Sequence, residues 1–292
     1  MLREWTTLLR LARTRFLSDA HYRRFQAHQG HLILRYLEKQ GVRIQGTKVL
    51  DLGCGRGGYS QSMQRAGAHV VSMDLTRPDA VPPAFLVGDA LRLPLASNSF
   101  PLVFCASLIE HVAQPAQLVA EIKRILAPQG IAYLSFPPFY TPVGGHQFKP
   151  YHLLGERLAL RLSKQRVESY ATSFGDHGLY PLTIRRVRRL LSQANLTIKH
   201  EATRFLPINV SRIPVLGEFL TWHVQFLLCK EPASVRHGRE PSPAKGSEAA
   251  PTRSLPLGSS THPDGPPASC RHKDGEVEGN VAQSIETSWM LS

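Results

Sequence analysis

The sequence predicts an α/β protein built on a doubly wound parallel sheet. Three observations predict it. From residue 48 onward, five β-rich apolar runs are separated by helical or loop stretches, the alternation that places helices on both faces of a parallel sheet. The first run, "KVLDLG" (48–53), passes straight into the glycine-rich turn "GCGRGG" (53–58), as a nucleotide-binding strand does. Hydrophobic residues make up 42% of the 292, which supports a sizeable core.

Residues 1–47 read as an N-terminal helical extension. In the first helix (1–17) Trp5, Leu8, Leu9, Ala12 and Phe16 share a face, with Arg3, Arg10, Arg13 and Arg15 around it. Such a basic amphipathic helix packs on its own domain or lies on a membrane surface. A second helix spans about 20–40, with Tyr22, Phe25, Leu32, Ile33, Tyr36 and Leu37 as its apolar set and Gly41 ending it. After "KVLDLG", the stretch "YSQSMQRAG" is a helix closed by Gly67. "HVVSMDL" (69–75), "AFLVGDA" (84–90) and "FPLVFCAS" (100–107) are strands. "PAQLVAEIKRILA" (115–127) is a helix with Pro115 at its start, and "GIAYLSFP" (130–137) is the fifth strand. Residues 137–181, rich in aromatics, histidine and glycine, are longer than a connection requires and read as a lid insertion. "LTIRRVRRLLSQAN" is then a helix and "LTIKHEATRF" a sixth strand. A second insertion near 205–220 precedes "WHVQFLLCKE", a seventh. Residues 48–231 thus form the main domain. Residues 232–292 are rich in Pro, Ser, Gly and Ala without apolar periodicity, the composition of a disordered tail.

The net charge of +13 is unevenly spread: +7 over 1–48, zero over 49–135, +7 over 136–231 and −1 beyond. The basic excess flanks the glycine-rich segment and favours an anionic partner, whether metabolite, nucleic acid or membrane surface. The four cysteines lie far apart with no C-x-x-C pair, which argues against a zinc site or a disulfide framework and suits a cytoplasmic protein. No apolar run reaches the roughly 20 residues that span a bilayer.

Gly53, Gly55 and Gly58 satisfy G-x-G-x-x-G, a dinucleotide fingerprint, and the same stretch satisfies D-x-G-x-G-x-G through Asp51. A pyrophosphate disfavours a carboxylate there, whereas the ammonium or sulfonium of S-adenosylmethionine (SAM) welcomes one. Asp74, at the tip of the second strand, suits the ribose hydroxyls of either nucleotide. Asp89, at the tip of the third, can accept from an adenine amine, with Leu91 or a nearby backbone amide against the ring. That position favours SAM over NAD, the cofactor of a competing dehydrogenase reading.

"VLDLGCGRGGYS", "MD" at 73–74, "GDALRLPLASNSFPLVFCASLIEHV" and "EIKRILAPQGIAYLSFP" resemble the successive motifs of class I SAM-dependent methyltransferases, the branch that includes quinone-biosynthesis and small-molecule enzymes. The resemblance covers about residues 48–136 and continues toward 230. It implies a Rossmann-like, seven-stranded sheet whose last strand runs antiparallel. It also implies that Asp51, Gly53, Gly55 and Gly57 line the methionine part of SAM, Asp74 holds the ribose and Asp89 the adenine. Ser107, Leu108 and Glu110 would border the sulfonium and the acceptor entrance. Gln129 stands where the family usually has a turn glycine.

Methyl transfer from a sulfonium is an in-line displacement that needs positioning and, for some acceptors, a base, but no metal. The candidate bases are His146, in "GGHQFKPYH" after the fifth strand, and His111. His152 and His177 are further acceptor-site candidates. The basic run Arg157, Arg161, Lys164 and Arg166 is a solvated face or a clamp for an anionic acceptor. "RRVRR" (185–189) hints at RNA, but Ile184, Val187, Leu190 and Leu191 place its arginines on the solvated back of a helix, and no aromatic–basic interleaving accompanies it. The position after the fourth strand reads "ASLIEH", unlike the Asn-Pro-Pro-Tyr element of enzymes acting on planar amino groups. The sequence therefore predicts transfer to oxygen of a small-molecule, glycan or lipid-linked acceptor. An RNA methyltransferase and a non-catalytic SAM-binding scaffold are the alternatives. The oligomeric state has no signature in the sequence.

Overall fold

The computed structural model describes residues 2–15, 17–78, 82–164, 172–204 and 208–230. The tail at 232–292, Phe16 and Arg166, and the side chains of Arg3 and Trp5, lie outside what is described. Two helices, α1 (Leu2–Thr14) and α2 (Asp19–Lys39), open the chain. The core follows as β1 (Lys48–Leu52), α3 (Gly58–Arg65), β2 (His69–Asp74), β3 (Phe85–Val87), β4 (Phe100–Ala106), α4 (Pro115–Ile125) and β5 (Leu126–Phe136). It continues through α5 (Glu156–Leu162), α6 (Ile184–Gln193), β6 (Leu196–Thr203), α7 (Leu216–Leu220) and β7 (Val224–Lys230).

The seven strands form one sheet in the order β3-β2-β1-β4-β5-β7-β6. Strands β1 to β5 pair in parallel, while β7 runs antiparallel to both β5 and β6. The reversed strand agrees with the implied topology and departs from the all-parallel dinucleotide-binding sheet. The strand order turns back between β1 and β4, so the crevice of the doubly wound fold opens beyond their C-terminal ends.

Period-two alternation distributes the central strands to two cores. Leu50, Leu52, Val103, Cys105, Leu134 and Phe136 face α4 and α6 and pack with Leu118, Ile122, Val187 and Leu191. Val49, Leu102, Phe104 and Tyr133 face the other way and pack with Ile33, Leu37, Tyr59 and Met63 of α2 and α3. Ser18 caps α2, Thr183 caps α6, and Pro115 opens α4, as helix starts require. Close packing of α2 on α3 depends on Gly58, where a Cβ would come within 2.5 Å of the Gln26 side chain. This contact carries α2 over the glycine loop.

Three readings are corrected. The fourth helix ends at Ile125 and the fifth strand starts at Leu126, earlier than predicted. Leu126 pairs with Phe100, and an irregularity follows before Ile131 pairs with Leu102, with Gln129 in the left-handed region at φ 59°. The second insertion holds a helix, α7, which the pattern did not indicate. The arginines of α6 are not all a solvated back: Arg188 makes a bidentate pair with the buried Glu201 of β6 and also donates to the Ser211 carbonyl.

The insertion at 137–181 has a small core of its own, Phe139, Phe148, Ala159, Phe174 and Leu179. Backbone bonds from Tyr180 to the Glu110 carbonyl (2.8 Å) and from Phe139 to the Leu182 carbonyl (2.9 Å) tie its ends to the sheet edge.

Candidate active site

The glycine loop leaves β1 through Gly53, Gly55 and Gly57, all in the left-handed region (φ 74°, 50° and 75°) that side chains rarely adopt. The amides of Gly53 and Cys54 both donate to the Met73 carbonyl, so the loop is stitched to the end of β2. The Gly55 amide donates to Asp74 Oδ2 (2.7 Å) and Leu75 donates to Oδ1 (2.8 Å). A Cβ at Gly53 would press on Leu108 at 3.0 Å, whereas one at Gly55 would meet nothing within 4 Å. The loop therefore packs on the turn after β4 at one glycine and opens into the cavity at another.

Asp51 lies beneath the loop. It is 1% exposed and accepts a short hydrogen bond from Ser60, which in turn accepts from Ser72 (2.8 Å). Burial, with a smaller contribution from Asp74, raises its pKa to about 7 against the lowering effect of Ser60. Asp51 thus braces the start of α3 and is absent from the cavity lining. Asp89 accepts from the Leu91 amide (2.8 Å) and holds the turn after β3. An ionised carboxylate has about four acceptor positions, so neither turn bond precludes a nucleoside partner at Asp74 or Asp89.

One cavity, about 1100 Å³ with its open mouth, begins at Gly53 and Gly55 and extends past Ala106, Ser107 and Pro137 to His146, His223 and Trp222. Its cover comes from α1 and α2 and the turn between them: Leu8, Leu9, Ala12, Arg15, Tyr22, Phe25, Gln26 and Gln29. Ser107, in the left-handed region at φ 56°, sits on the wall at the end of β4. The predicted site residues divide accordingly. Gly53, Gly55, Ser107 and His146 reach the cavity. Gly57 and Leu108 support the loop, Gly57 in α3's N-cap position. His111 and Glu110 are buried behind His146 and are brought together with it: the His111 and His146 rings meet edge-on at 4.8 Å. Burial pushes Glu110 up to about 8 and His111 down to about 4, and holds His146 well below the usual histidine range. His152 and His177 are set into the insertion: His152 Nε2 lies 3.0 Å from the Thr141 carbonyl, and His177 packs on Phe148.

Sequence reasoning missed one wall. Tyr59 donates to Gln29 (2.7 Å), buried Arg204 donates to Tyr59 (3.0 Å), and Arg204 Nη1 lies 3.2 Å from His223 Nε2. Burial and the neighbouring Arg204 keep His223 well below the usual histidine pKa, hence neutral. Tyr22, Phe25, Gln26 and Gln29 repeat at helical spacing, and two glutamines inside an otherwise apolar stripe were the available signal. Arg204 directly follows β6 and His223 directly precedes β7, 19 residues apart in sequence, and carried none.

The fit to SAM rests on the chain's own chemistry. The glycine loop offers close backbone approach, Asp74 and Asp89 end neighbouring strands on one edge, and Gln26, Gln29 and Tyr22 close over the loop. These residues suit a ligand with a nucleoside at one end and a compact polar group at the other.

Residues 50–134 match the family described as "Methyltransferase domain". An uncharacterized methyltransferase of Mycobacteroides abscessus is 28% identical over 215 residues, 68% of this chain and 82% of the relative. One from Mycobacterium ulcerans is 27% identical over 206 residues, 66% of this chain and 80% of the relative. Among solved structures, a SAM-dependent methyltransferase from Mesorhizobium loti is 20% identical, with a TM-score of 0.45 over 64% of this chain and 92% of that one.

Proposed function

We infer that the chain is a class I SAM-dependent methyltransferase, and from that premise propose that it methylates a hydroxyl oxygen on an amphipathic, lipid-linked acceptor. The observation that supports the acceptor class is the apolar mouth of the cavity. Leu9 and Trp222 line it and are still 47% and 43% exposed. Beside Trp222, the helix α7 leaves Leu216, Phe219 and Leu220 exposed, and Tyr140 packs on Phe219 at 5.7 Å. A contiguous exposed apolar patch next to a site marks a binding surface. Deeper in, Arg15 and Arg204 offer cationic groups to an acidic or phosphorylated portion of the acceptor.

SAM supplies a methyl group on a sulfonium, whose thioether leaves without needing an acid. The chain's own part is to hold the acceptor in line and exclude water. Gly53, Gly55 and Ser107 would border the cofactor end. Asp74 and Asp89 would hold the nucleoside. His146 would contact the acceptor hydroxyl from the lid side, and as the C–O bond forms and the C–S bond breaks the hydroxyl proton would pass to water at the open mouth of the cavity. The membrane-surface alternative for the basic helix at 1–17 extends to α7 in this reading. Among the described residues no helix is long and apolar enough to cross a membrane.

The test is label transfer. The full chain is incubated with methyl-labelled SAM and either a total lipid extract, a water-soluble metabolite pool or total RNA. Label entering the organic phase as an acid-stable methyl ether supports the reading. Label confined to the water-soluble pool or to RNA overturns it.

A further inference from the structure

We propose that Glu110, His111 and His146 form a binding site for one divalent transition-metal ion of the zinc class. The ion would tie the lid insertion to the turn after β4. The sequence, read through its cysteines, predicts no zinc site, and this one uses none.

One ligand atom from each of the three residues lies within 4.8 Å of the other two, and His111 Nε2 is 4.0 Å from Glu110 Oε1. All three are buried, at 2%, 6% and 1% exposure. Among the described residues, neither carboxylate oxygen of Glu110 and neither ring nitrogen of His146 has a hydrogen-bond partner. Buried polar groups in that condition are rare because each costs about 1–3 kcal/mol. Two such side chains, converging on one point beside the Nε2 of His111, suggest a shared cation. Neutralisation by pKa shift lowers the charge cost but leaves the lone pairs unmet.

His111 is prepared as a ligand. Its Nδ1 lies 2.8 Å from the Gly178 carbonyl, which can only accept, so the proton sits on Nδ1 and Nε2 bears the lone pair. A ligating histidine held by a backbone carbonyl through its other nitrogen is the usual outer-shell arrangement. His146 is held where its own backbone preference would not put it. Its φ is 47°, and the preceding turn is packed so tightly that a Cβ at Gly144 would collide with the Pro138 carbonyl and one at Gly145 with the His152 ring. Strain maintained by surrounding packing clusters at functional sites.

Two imidazoles and a carboxylate are the donor set of open zinc sites, with ligand bonds of about 2.0–2.2 Å. Bringing the three donors from separations of up to 4.8 Å to such an ion requires them to close by up to about 1.5 Å. Coordination through one ring nitrogen leaves the other nitrogen of His146 as an N–H donor, so His146 can hold the ion and still touch an acceptor.

The test reads metal, not turnover. The purified full chain is stripped with a chelator and titrated with Zn²⁺ against a chromophoric competitor, then with Co²⁺ followed by visible absorption. One ion per chain is expected. Glu110→Gln and His146→Ala should each weaken zinc binding by at least about 100-fold, more than loss of an outer-shell partner does. His69→Gln, at an exposed histidine, should leave it unchanged. Zinc should raise the wild-type Tm but not that of either variant. Wild-type protein that takes up neither ion at micromolar concentration, or binds no more tightly than both variants, overturns the proposal. If a variant fails to fold, the cobalt spectrum of the wild type decides. Intense bands of a low-coordinate nitrogen–oxygen site support it, and the weak spectrum of aqueous cobalt overturns it.

Discussion

The Asp74 carboxylate joins the glycine loop to the tip of β2, accepting from both Gly55 and Leu75. Replacing it by alanine removes the carboxylate proposed to hold the ribose and loosens the loop at once. Charge-assisted hydrogen bonds contribute about 1.5–3 kcal/mol each, so Asp74→Ala should weaken S-adenosylhomocysteine binding by roughly 100-fold in calorimetric titration. Gly53→Val should abolish binding, since it adds a side chain against Leu108 at a backbone φ of 74°. Unchanged affinity in both folded variants would remove the loop from the site. Asp51 predicts a pH effect. Its folded pKa, about 7, lies above the ordinary 3.8. Between these values the folded chain holds a proton that the unfolded chain has released, so Asp51's contribution to stability falls as pH rises through that window and is flat above it. Tm should therefore drop less between about pH 4 and 7 in Asp51→Asn than in the wild type; parallel curves would refute the assignment. At this scale Asp51, read as lining the loop, lies buried beneath it against Ser60, whereas the glycine loop was legible because glycines at fixed spacing after a strand have few other uses. Arg204 and His223 were not, because only the sheet brings them beside Tyr59.

Elements were legible where periodicity was long and uninterrupted, as in α2, α4, β4 and β7. They were obscured where short turns make the structure: the 3₁₀ turns of the lid at His146–Phe148, Tyr151–Leu154 and Gly175–His177 have no period to read. The helix α7 is only five residues long, yet its Glu218 accepts from the Ile184 and Arg185 amides (2.8 and 2.9 Å) at the start of α6, a helix cap supplied from a distance. The lid's separate core yields a prediction. Phe148 is fully buried against Phe174 at 4.7 Å, and truncating such a residue costs about 3–5 kcal/mol. Because those contacts lie within the lid, Phe148→Ala should expose residues 137–181 to limited proteolysis while leaving S-adenosylhomocysteine affinity within about 2-fold. A matching collapse of cofactor affinity would show the lid and the glycine loop to be one unit.

For the whole molecule, the sequence carried the doubly wound sheet, and the resemblance carried the reversed strand. The cover of the cavity was not legible, since it depends on how α1 and α2 settle over β1 and β4. That sheet yields a discriminating prediction: S-adenosylhomocysteine should bind in the micromolar range and NAD should not, in parallel titrations of one preparation. NAD binding alone would overturn the enzyme class. The position of β7 between β5 and β6 also governs the order of assembly. Among the described residues β6 pairs only with β7, so residues 196–203 have no place in the sheet until residues 224–230 have been synthesised and inserted. Non-local pairings of this kind form late, and unpaired strand edges invite misassembly meanwhile. The glycine loop and its carboxylates can be in place on the nascent chain before the far wall exists. A ribosome-stalled chain ending near residue 200 would carry the glycine loop but lack the Arg204, Trp222 and His223 wall of the cavity, so the last strand of the sheet is the one that closes the chamber.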